Sequence, residues 1–404
     1  MCLRAFIFGS HRLFFFLNIF VLFPVGLFFF YKRTHYRVDK SRIVPSILTR
    51  RASSKHAAPC REVNGTANCS NSNTLPPFVS AESTSEEGLL VPATPERANI
   101  QRGYVTPQQV YNLLNAEAGQ PALHDPNYIL ILDCRSAERY KQSHLVTARA
   151  SVTVMHPELG CLISCVQLQE FSIILLYAEE GHSPVGSEEA RHDSMPLQRC
   201  FFQLSTLGMD PVILLGGYSA FHSLYPFLCT PRMILLESER RSLTIYPSEI
   251  LEGALYQGSA AQAHDYRIIK NLHITHVVNA TAESTDAFPS VVRYLRLRLN
   301  DDAQQDLSEA LPAASRFIAR ALRGSPGVPG GRVLVHCSLG RSRSSVLTLA
   351  FLMEQRCWSL LHAFRWLKER RGCAAPNAGF LRQLSDYEEQ LFGERLTSLD
   401  DIRL

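Results

Sequence analysis

The sequence predicts an α/β protein of two successive domains, preceded by a hydrophobic segment and an unstructured linker. Three observations carry that prediction. Short apolar strand-like runs alternate with helical stretches from Tyr104 to Leu215, the pattern of an open parallel sheet with helices on both faces. Near the C-terminal end, Val333 to Val335 reads as a buried strand, a Gly- and Ser-rich loop follows, and Ser345 to Met353 reads as an apolar helix. A length of 404 residues leaves room for both domains and a tail. The boundaries read from composition are 1–100 for the anchor and linker, 101–235 for the first domain and 242–395 for the second.

Composition narrows the class. A hydrophobic fraction of 46% and a net charge of +4 describe a globular chain, and no Arg/Lys stripe interleaved with aromatics marks it for nucleic acid. The 11 cysteines are scattered without a C-x-x-C pair or metal-ligand spacing, so neither metal nor other cofactor is expected. Their odd number favours a reducing compartment.

At the amino terminus, Leu13 to Tyr31 is free of charge and rich in Phe and Leu, with Asn18, Pro24 and Gly26 weakening it as a span. Lys32, Arg33, Arg37, Lys40 and Arg42 outweigh Arg4 and Arg12, which would hold the downstream chain in the cytosol. A membrane-attaching signal anchor and an upstream extension of a cytosolic protein both fit. From Ser53 to Arg102 the composition turns to Ser, Thr, Asn, Pro and Ala without apolar periodicity, a linker. The Asn64-Gly65-Thr66 and Asn68-Cys69-Ser70 glycosylation patterns there are read as chance matches.

In the first domain, Thr106-Pro107 caps a helix running to about Asn115. Tyr128 to Leu132 is a buried strand ending in Asp133-Cys134-Arg135-Ser136, and Ile173 to Tyr177 is a second. Cys200 to Leu207 is helical, and Val212 to Leu215 is a third strand, followed by Gly216-Gly217-Tyr218-x-x-Phe221. A linker with Glu237 to Arg241 leads to the second domain, where His276 to Asn279 and Tyr294 to Leu299 are strands. Phe380, Leu384, Tyr387 and Leu391 recur at helical spacing and belong to the core.

The chemistry concentrates after Val335. A strand, a tight loop and a helix start aim backbone N–H groups and the positive helix end at one spot, an anion site. Cys337 opens this loop, Ser338, Leu339, Gly340, Arg341 and Ser342 form it, and Arg343 closes it. A thiolate is the attacking form of sulfur, and a guanidinium grips two phosphate oxygens in a fork that Lys lacks. Together they suggest phosphoryl transfer to sulfur. Such a reaction needs an acid opposite the nucleophile to protonate the leaving oxygen. Asp301, Asp302 and Asp306 compete for that role, although Asp306, with Glu309 three residues on, has the pattern of a capping box.

His336-Cys337-x-x-x-x-x-Arg343-Ser344 resembles the signature of cysteine-dependent protein phosphatases. The continuation through Met353, then Pro376-Asn377-Ala378-Gly379-Phe380 and Gln383-Leu384, resembles the dual-specificity branch, as do Tyr246 to Ile250 and Leu255 to Gly258. That resemblance implies Cys337 as nucleophile, residues 338–343 as the phosphate-binding loop, and Asp301 as the acid, with Asp302 in reserve. It further implies that His336 orients the loop, Ser344 donates to the leaving thiolate, and Asn377 ties the loop to its surroundings. Arg341 departs from the commoner apolar residue there, either favouring acidic substrates or facing solvent.

The first domain resembles the rhodanese-like fold. Active members carry a Cys at the start of the loop after the middle strand; here Ala178 stands in that place, followed by Glu179 and Glu180, so sulfur transfer is not expected. The kinase-docking arginine cluster of related phosphatases is reduced to Arg149, leaving signalling kinases as a weakly supported partner. Both domains together, with the tail Leu396 to Asp400, resemble the serine/threonine/tyrosine-interacting-like (MK-STYX) group, whose familiar members have lost the His-Cys pair kept here.

The expectation is therefore an active dual-specificity phosphatase acting on phosphoproteins, cytoplasmic and, by the resemblance, associated with mitochondria. A phosphoprotein-binding scaffold without activity is the alternative. A lipid or RNA phosphatase is disfavoured because Ser344-Ser345, not Thr-Gly, follows the arginine.

Overall fold

The computed structural model describes residues 89–90, 103–117, 122–153, 168–180, 188–234, 236–324 and 329–402. The expected anchor at Leu13 to Tyr31, both glycosylation patterns and nearly all of the expected linker lie outside them. Leu89 and Leu90 are described, and they are docked: the Leu90 N–H donates to the Leu391 carbonyl at 2.7 Å. Among the described residues no helix is long and apolar enough to cross a membrane.

Two five-stranded sheets organise the described residues. The first uses β1 (Tyr104–Val105), β2 (Ile129–Asp133), β4 (Arg149–Ala150), β5 (Ile173–Tyr177) and β6 (Val212–Leu214) in the order β1-β6-β5-β2-β4, with every pairing parallel. A short antiparallel pair, β3 (His144–Leu145) and β7 (Cys229–Thr230), lies apart from it. β2 is buried along its whole length, as a continuous apolar run in a doubly covered sheet must be. Helix α1 (Pro107–Leu114) starts where expected. Thr106 Oγ1 accepts the Gln109 N–H at 3.2 Å, and Gln109 returns its side-chain oxygen to the Thr106 N–H at 2.9 Å. Helices α2 (Ala137–Gln142), α3 (Glu188–Thr206) and α4 (Gly217–Leu224) complete this layer. Glu237 to Arg241, read from sequence as part of a linker, forms a short helix, α5, whose Glu239 carboxylate accepts the Leu236 N–H at 3.2 Å.

The second sheet has the order β11-β10-β12-β9-β8, from β8 (Ser248–Leu251), β9 (Leu255–Ser259), β10 (His276–Asn279), β11 (Arg293–Arg296) and β12 (Val333–Cys337). Only the β8–β9 pairing is antiparallel. The strand expected at Tyr294 to Leu299 is shifted and shorter: the Leu297 N–H still bonds the Asn279 carbonyl at 2.8 Å, and beyond it the chain leaves the sheet edge. After the short helices α6 (Ala260–Ala263) and α7 (Tyr266–Asn271) come α8 (Ala310–Arg323), α9 (Arg343–Arg356), α10 (Leu360–Arg370) and α11 (Ala378–Phe392). Almost every residue of α9 is buried, so the helix that begins at the anion loop is the axis of the second core.

The layers share apolar core. Val105, Leu214 and Phe221 belong to one buried cluster with Tyr246, Tyr256, Val277 and Leu334. Polar contacts fix the register across it. The Asn112 amide exchanges two hydrogen bonds with the Glu249 backbone, at 2.9 and 2.8 Å, and Tyr111 Oη donates to the Pro247 carbonyl at 2.9 Å. The Glu249 carboxyl is 1% exposed. Burial pushes its pKa up, against the opposing hydrogen bonds from Tyr225, the Gly253 N–H and Tyr256.

Candidate active site

β12 delivers Cys337 as its last residue, 2% exposed, and α9 begins six residues later at Arg343. Five residues must reverse the chain between them, and Gly340 does so at φ +67°, a conformation that disfavours a side chain. A Cβ there would also lie 2.4 Å from the Gly258 carbonyl oxygen, so this glycine is fixed twice over. The loop is anchored at the start of α6 by the Ala260 N–H, which donates to the Ser338 carbonyl at 3.1 Å. Gln257 Nε2 adds bonds to the Gly340 carbonyl at 3.1 Å and Ser345 Oγ at 2.8 Å.

Within this frame Cys337 Sγ lies 3.4 Å from Ser344 Oγ. Arg343 is 7% exposed and turns back over the loop. Its Nη2 donates to Ser338 Oγ at 2.6 Å and its Nη1 to the Leu299 carbonyl at 3.1 Å. Nη1 also reaches both Glu283 carboxylate oxygens at 3.2 Å. Its Nε is buried without a hydrogen bond, and Asp301 Oδ2 is 3.9 Å from it, an ion-pair distance only.

Of the three candidate acids, the structure brings one to the loop. Asp301 Oδ1 accepts Ser342 Oγ at 2.6 Å and Asn377 Nδ2 at 3.0 Å, with its side chain 40% exposed at the rim. Asp302 instead accepts the Gln304 N–H at 3.0 Å in a local turn. Asp306 has a structural role, but the expected capping box with Glu309 is not formed. Helix α8 starts only at Ala310, and Asp306 accepts the Ser308 N–H at 2.9 Å and the Ser308 hydroxyl at 3.0 Å.

Asn377 is the N-cap of α11, accepting the Phe380 N–H at 2.9 Å. Its own N–H donates to Ser342 Oγ at 3.2 Å, so one residue ties α11, the loop and Asp301 together. Gly379 makes that approach feasible, since a Cβ would stand 2.1 Å from the Ala303 carbonyl oxygen. His336 is 1% exposed, and burial pushes its imidazole down to about 4. It is a neutral ring at the strand end, edge-on to His264 at 6.5 Å, and none of its described contacts reaches the Cys337 sulfur. Arg341 faces outward, with Nε on the Cys373 carbonyl at 3.2 Å, while Leu339 is 66% exposed on the loop.

Three residues at the site were not singled out by sequence. Glu283 bridges Ser338 and Arg343, and the Ser338 hydroxyl, followed by Arg343, holds its carboxyl below the ordinary range. Gln257 and Arg371 both hold the Gly340 carbonyl. Glu283 lies 55 and 60 positions from Ser338 and Arg343, Gln257 lies 83 and 88 from Gly340 and Ser345, and Arg371 lies 31 from Gly340, so no local pattern announces them.

The loop following β5 in the first sheet has a different chemistry. Ala178 is buried there, and its carbonyl accepts the Tyr218 N–H at 2.8 Å. The Glu179 carboxylate is held by Arg135 at 3.0 Å and Arg139 at 3.2 Å.

Residues 255–390 match the dual specificity phosphatase catalytic domain model. The chain is 36% identical over 182 residues to a probable rhodanese domain-containing dual specificity protein phosphatase of Dictyostelium discoideum, covering 45% of this chain and 37% of that protein. It is 37% identical over 172 residues to dual specificity protein phosphatase 26 of Bos taurus, covering 41% of this chain and 79% of that protein. Among solved structures, human DUSP28 is 33% identical with a TM-score of 0.33, covering 36% of this chain and 96% of that one. The chain spans between 22% and 53% of the length of the first four curated relatives it matches.

Proposed function

This chain belongs to the dual specificity phosphatase family, and on that premise we propose that it hydrolyses phosphotyrosine and phosphoserine or phosphothreonine in protein substrates through a phosphocysteine intermediate. The observation that carries the reading is the convergence on one loop of Cys337, Arg343 and Asp301, with Ser344 Oγ 3.4 Å from the nucleophilic sulfur.

The steps follow from that arrangement. The Cys337 thiolate attacks phosphorus while the Arg343 guanidinium and the loop amides bind the equatorial oxygens. As the P–O bond to the substrate breaks, protonated Asp301 delivers its proton to the leaving oxygen. Water then attacks the phosphocysteine, Asp301 takes its proton, and the P–S bond breaks to release phosphate. Ser344 donates to the departing thiolate in this second step.

The first sheet is the rhodanese-like module of this reading, and it is inert in sulfur transfer because Ala178 offers no thiol and Glu179 fills the neighbouring charge position. The pairing of modules is that of the MK-STYX group, with the His336-Cys337 pair retained, and phosphoproteins are its substrates. Steady-state hydrolysis of an aryl phosphate tests the proposal. The full chain turns over, Cys337→Ser abolishes turnover, and Arg343→Lys lowers both rate and affinity because a point charge replaces the fork. A wild-type rate equal to that of Cys337→Ser would leave the scaffold alternative instead.

A further inference from the structure

Arg371 is the largest fully buried side chain of the molecule's described residues, 2% exposed, and it does not touch the reacting groups. It stands behind the anion loop. Its Nε donates to the Gly340 carbonyl at 2.6 Å and its Nη2 approaches the Leu339 carbonyl at 3.4 Å. Nη1 donates to Ser248 Oγ at 3.0 Å. The fourth partner comes from the other layer: Nη2 donates to Glu117 Oε2 at 2.7 Å, across 254 positions of sequence. Glu117 follows α1 of the first sheet's layer, and both side chains are withdrawn from solvent, 1% and 17% exposed. Its second carboxylate oxygen, Oε1, is buried without a hydrogen-bond partner.

Two arguments turn this contact into a role. A buried guanidinium without a counter-charge is strongly disfavoured, so the carboxylate of Glu117 is what keeps Arg371 behind the loop. A peptide group is planar and trans, with C=O and N–H on opposite sides. Holding the Gly340 carbonyl therefore points the Arg341 N–H away from Arg371, and holding the Leu339 carbonyl does the same for the Gly340 N–H. Those amides belong to the loop that binds the phosphoryl oxygens.

We propose that Glu117 and Arg371 are a positioning pair that orients the loop amides, so that the first sheet's layer sets the oxyanion affinity of the catalytic loop. The inference rests on the phosphatase reading for its consequence in catalysis, but not for its consequence in anion binding.

The test measures tungstate affinity by calorimetry and aryl phosphate kinetics on the same full-length variants. Glu117→Ala raises the tungstate Kd about tenfold and lowers kcat/KM about as much, the scale of a loop displaced by a fraction of an ångström. Glu117→Asp, which keeps the charge, recovers most of the loss. Asn112→Ala, which cuts the neighbouring interlayer bonds without touching Arg371, lowers stability and leaves both readouts within twofold. In an Arg371→Met background, or Arg371→Gln if that variant does not fold, Glu117→Ala has no further effect. An unchanged tungstate Kd in folded Glu117→Ala would overturn the proposal, as would a shift matched by Asn112→Ala or one that persists in full without Arg371. A wild-type chain that binds tungstate but hydrolyses nothing would sink the phosphatase reading alone, and the Kd series would still decide this pair. A chain that does not bind tungstate would sink both.

Discussion

Acidification acts on this fold through His336. The imidazole is buried at the end of β12, and loss of hydration pushes its pKa from 6.5 down to about 4, with His264 adding to the shift and Asp286 opposing it. In the unfolded chain the same ring titrates near its ordinary value of about 6.5. Between those limits the unfolded chain binds the proton and the native chain does not, so stability rises with pH in that window and is lost as pH falls through it. Each pH unit of the window is worth about 1.4 kcal/mol. Moving from neutrality to pH 5 crosses about 1.5 units and removes about 2 kcal/mol, and the full window removes about 3 kcal/mol. Urea unfolding at pH 7 and pH 5 measures it, with His336→Asn as the variant that cannot titrate. The wild-type chain should lose about 2 kcal/mol more than His336→Asn over that interval. An equal loss in both would mean that the buried ring is not the group that resists the proton.

Further outcomes follow from the loop. Asp301→Asn should lower kcat for a substrate with a poor leaving group by about 10²–10⁴-fold, the worth of one positioned acid, while Asp302→Asn, whose partner is the Gln304 N–H, should change it little; equal losses would reassign the acid. Ser344→Ala removes the hydroxyl 3.4 Å from Sγ and should slow breakdown of the intermediate more than its formation, which pre-steady-state release of the leaving group against phosphate would separate. Residues of the first sheet's layer should move no sulfur from thiosulfate to cyanide in the full chain, and turnover above a denatured control would contradict the assignment of Ala178.

Much of the site was legible because its parts are adjacent in sequence. The strand–loop–helix from Val333 to Met353 is a local pattern, and so is the cap formed by Thr106, Pro107 and Gln109. Asp301 is singled out only by resemblance, and in the fold its carboxylate lies beside the loop, bonded to Ser342 and Asn377. What stayed hidden depends on distant partners. Arg371 reads as one more charge in the Lys368–Arg371 run, and only the folded chain buries it behind Gly340 and against Glu117. Glu283 reads as a surface residue of a turn, yet it reaches across 60 positions to Arg343. The Asp306 pattern misled for a local reason: the helix begins at Ala310, past the residue that was to complete the box. Glu249, an ordinary charge in the sequence, is buried between the layers under three hydroxyl or amide donors.

In the proposed mechanism the phosphoryl group passes through the sulfur of Cys337. Acid quenching of the full chain during turnover of a ³²P-labelled phosphoprotein or aryl phosphate, followed by peptide mapping, tests it most directly. Label should appear on the peptide containing Cys337, in the acid-stable, iodine-labile form of a phosphothioester, with more of it in Ser344→Ala and none in Cys337→Ser. Sustained turnover without label on that peptide, or with label on another residue, would contradict it.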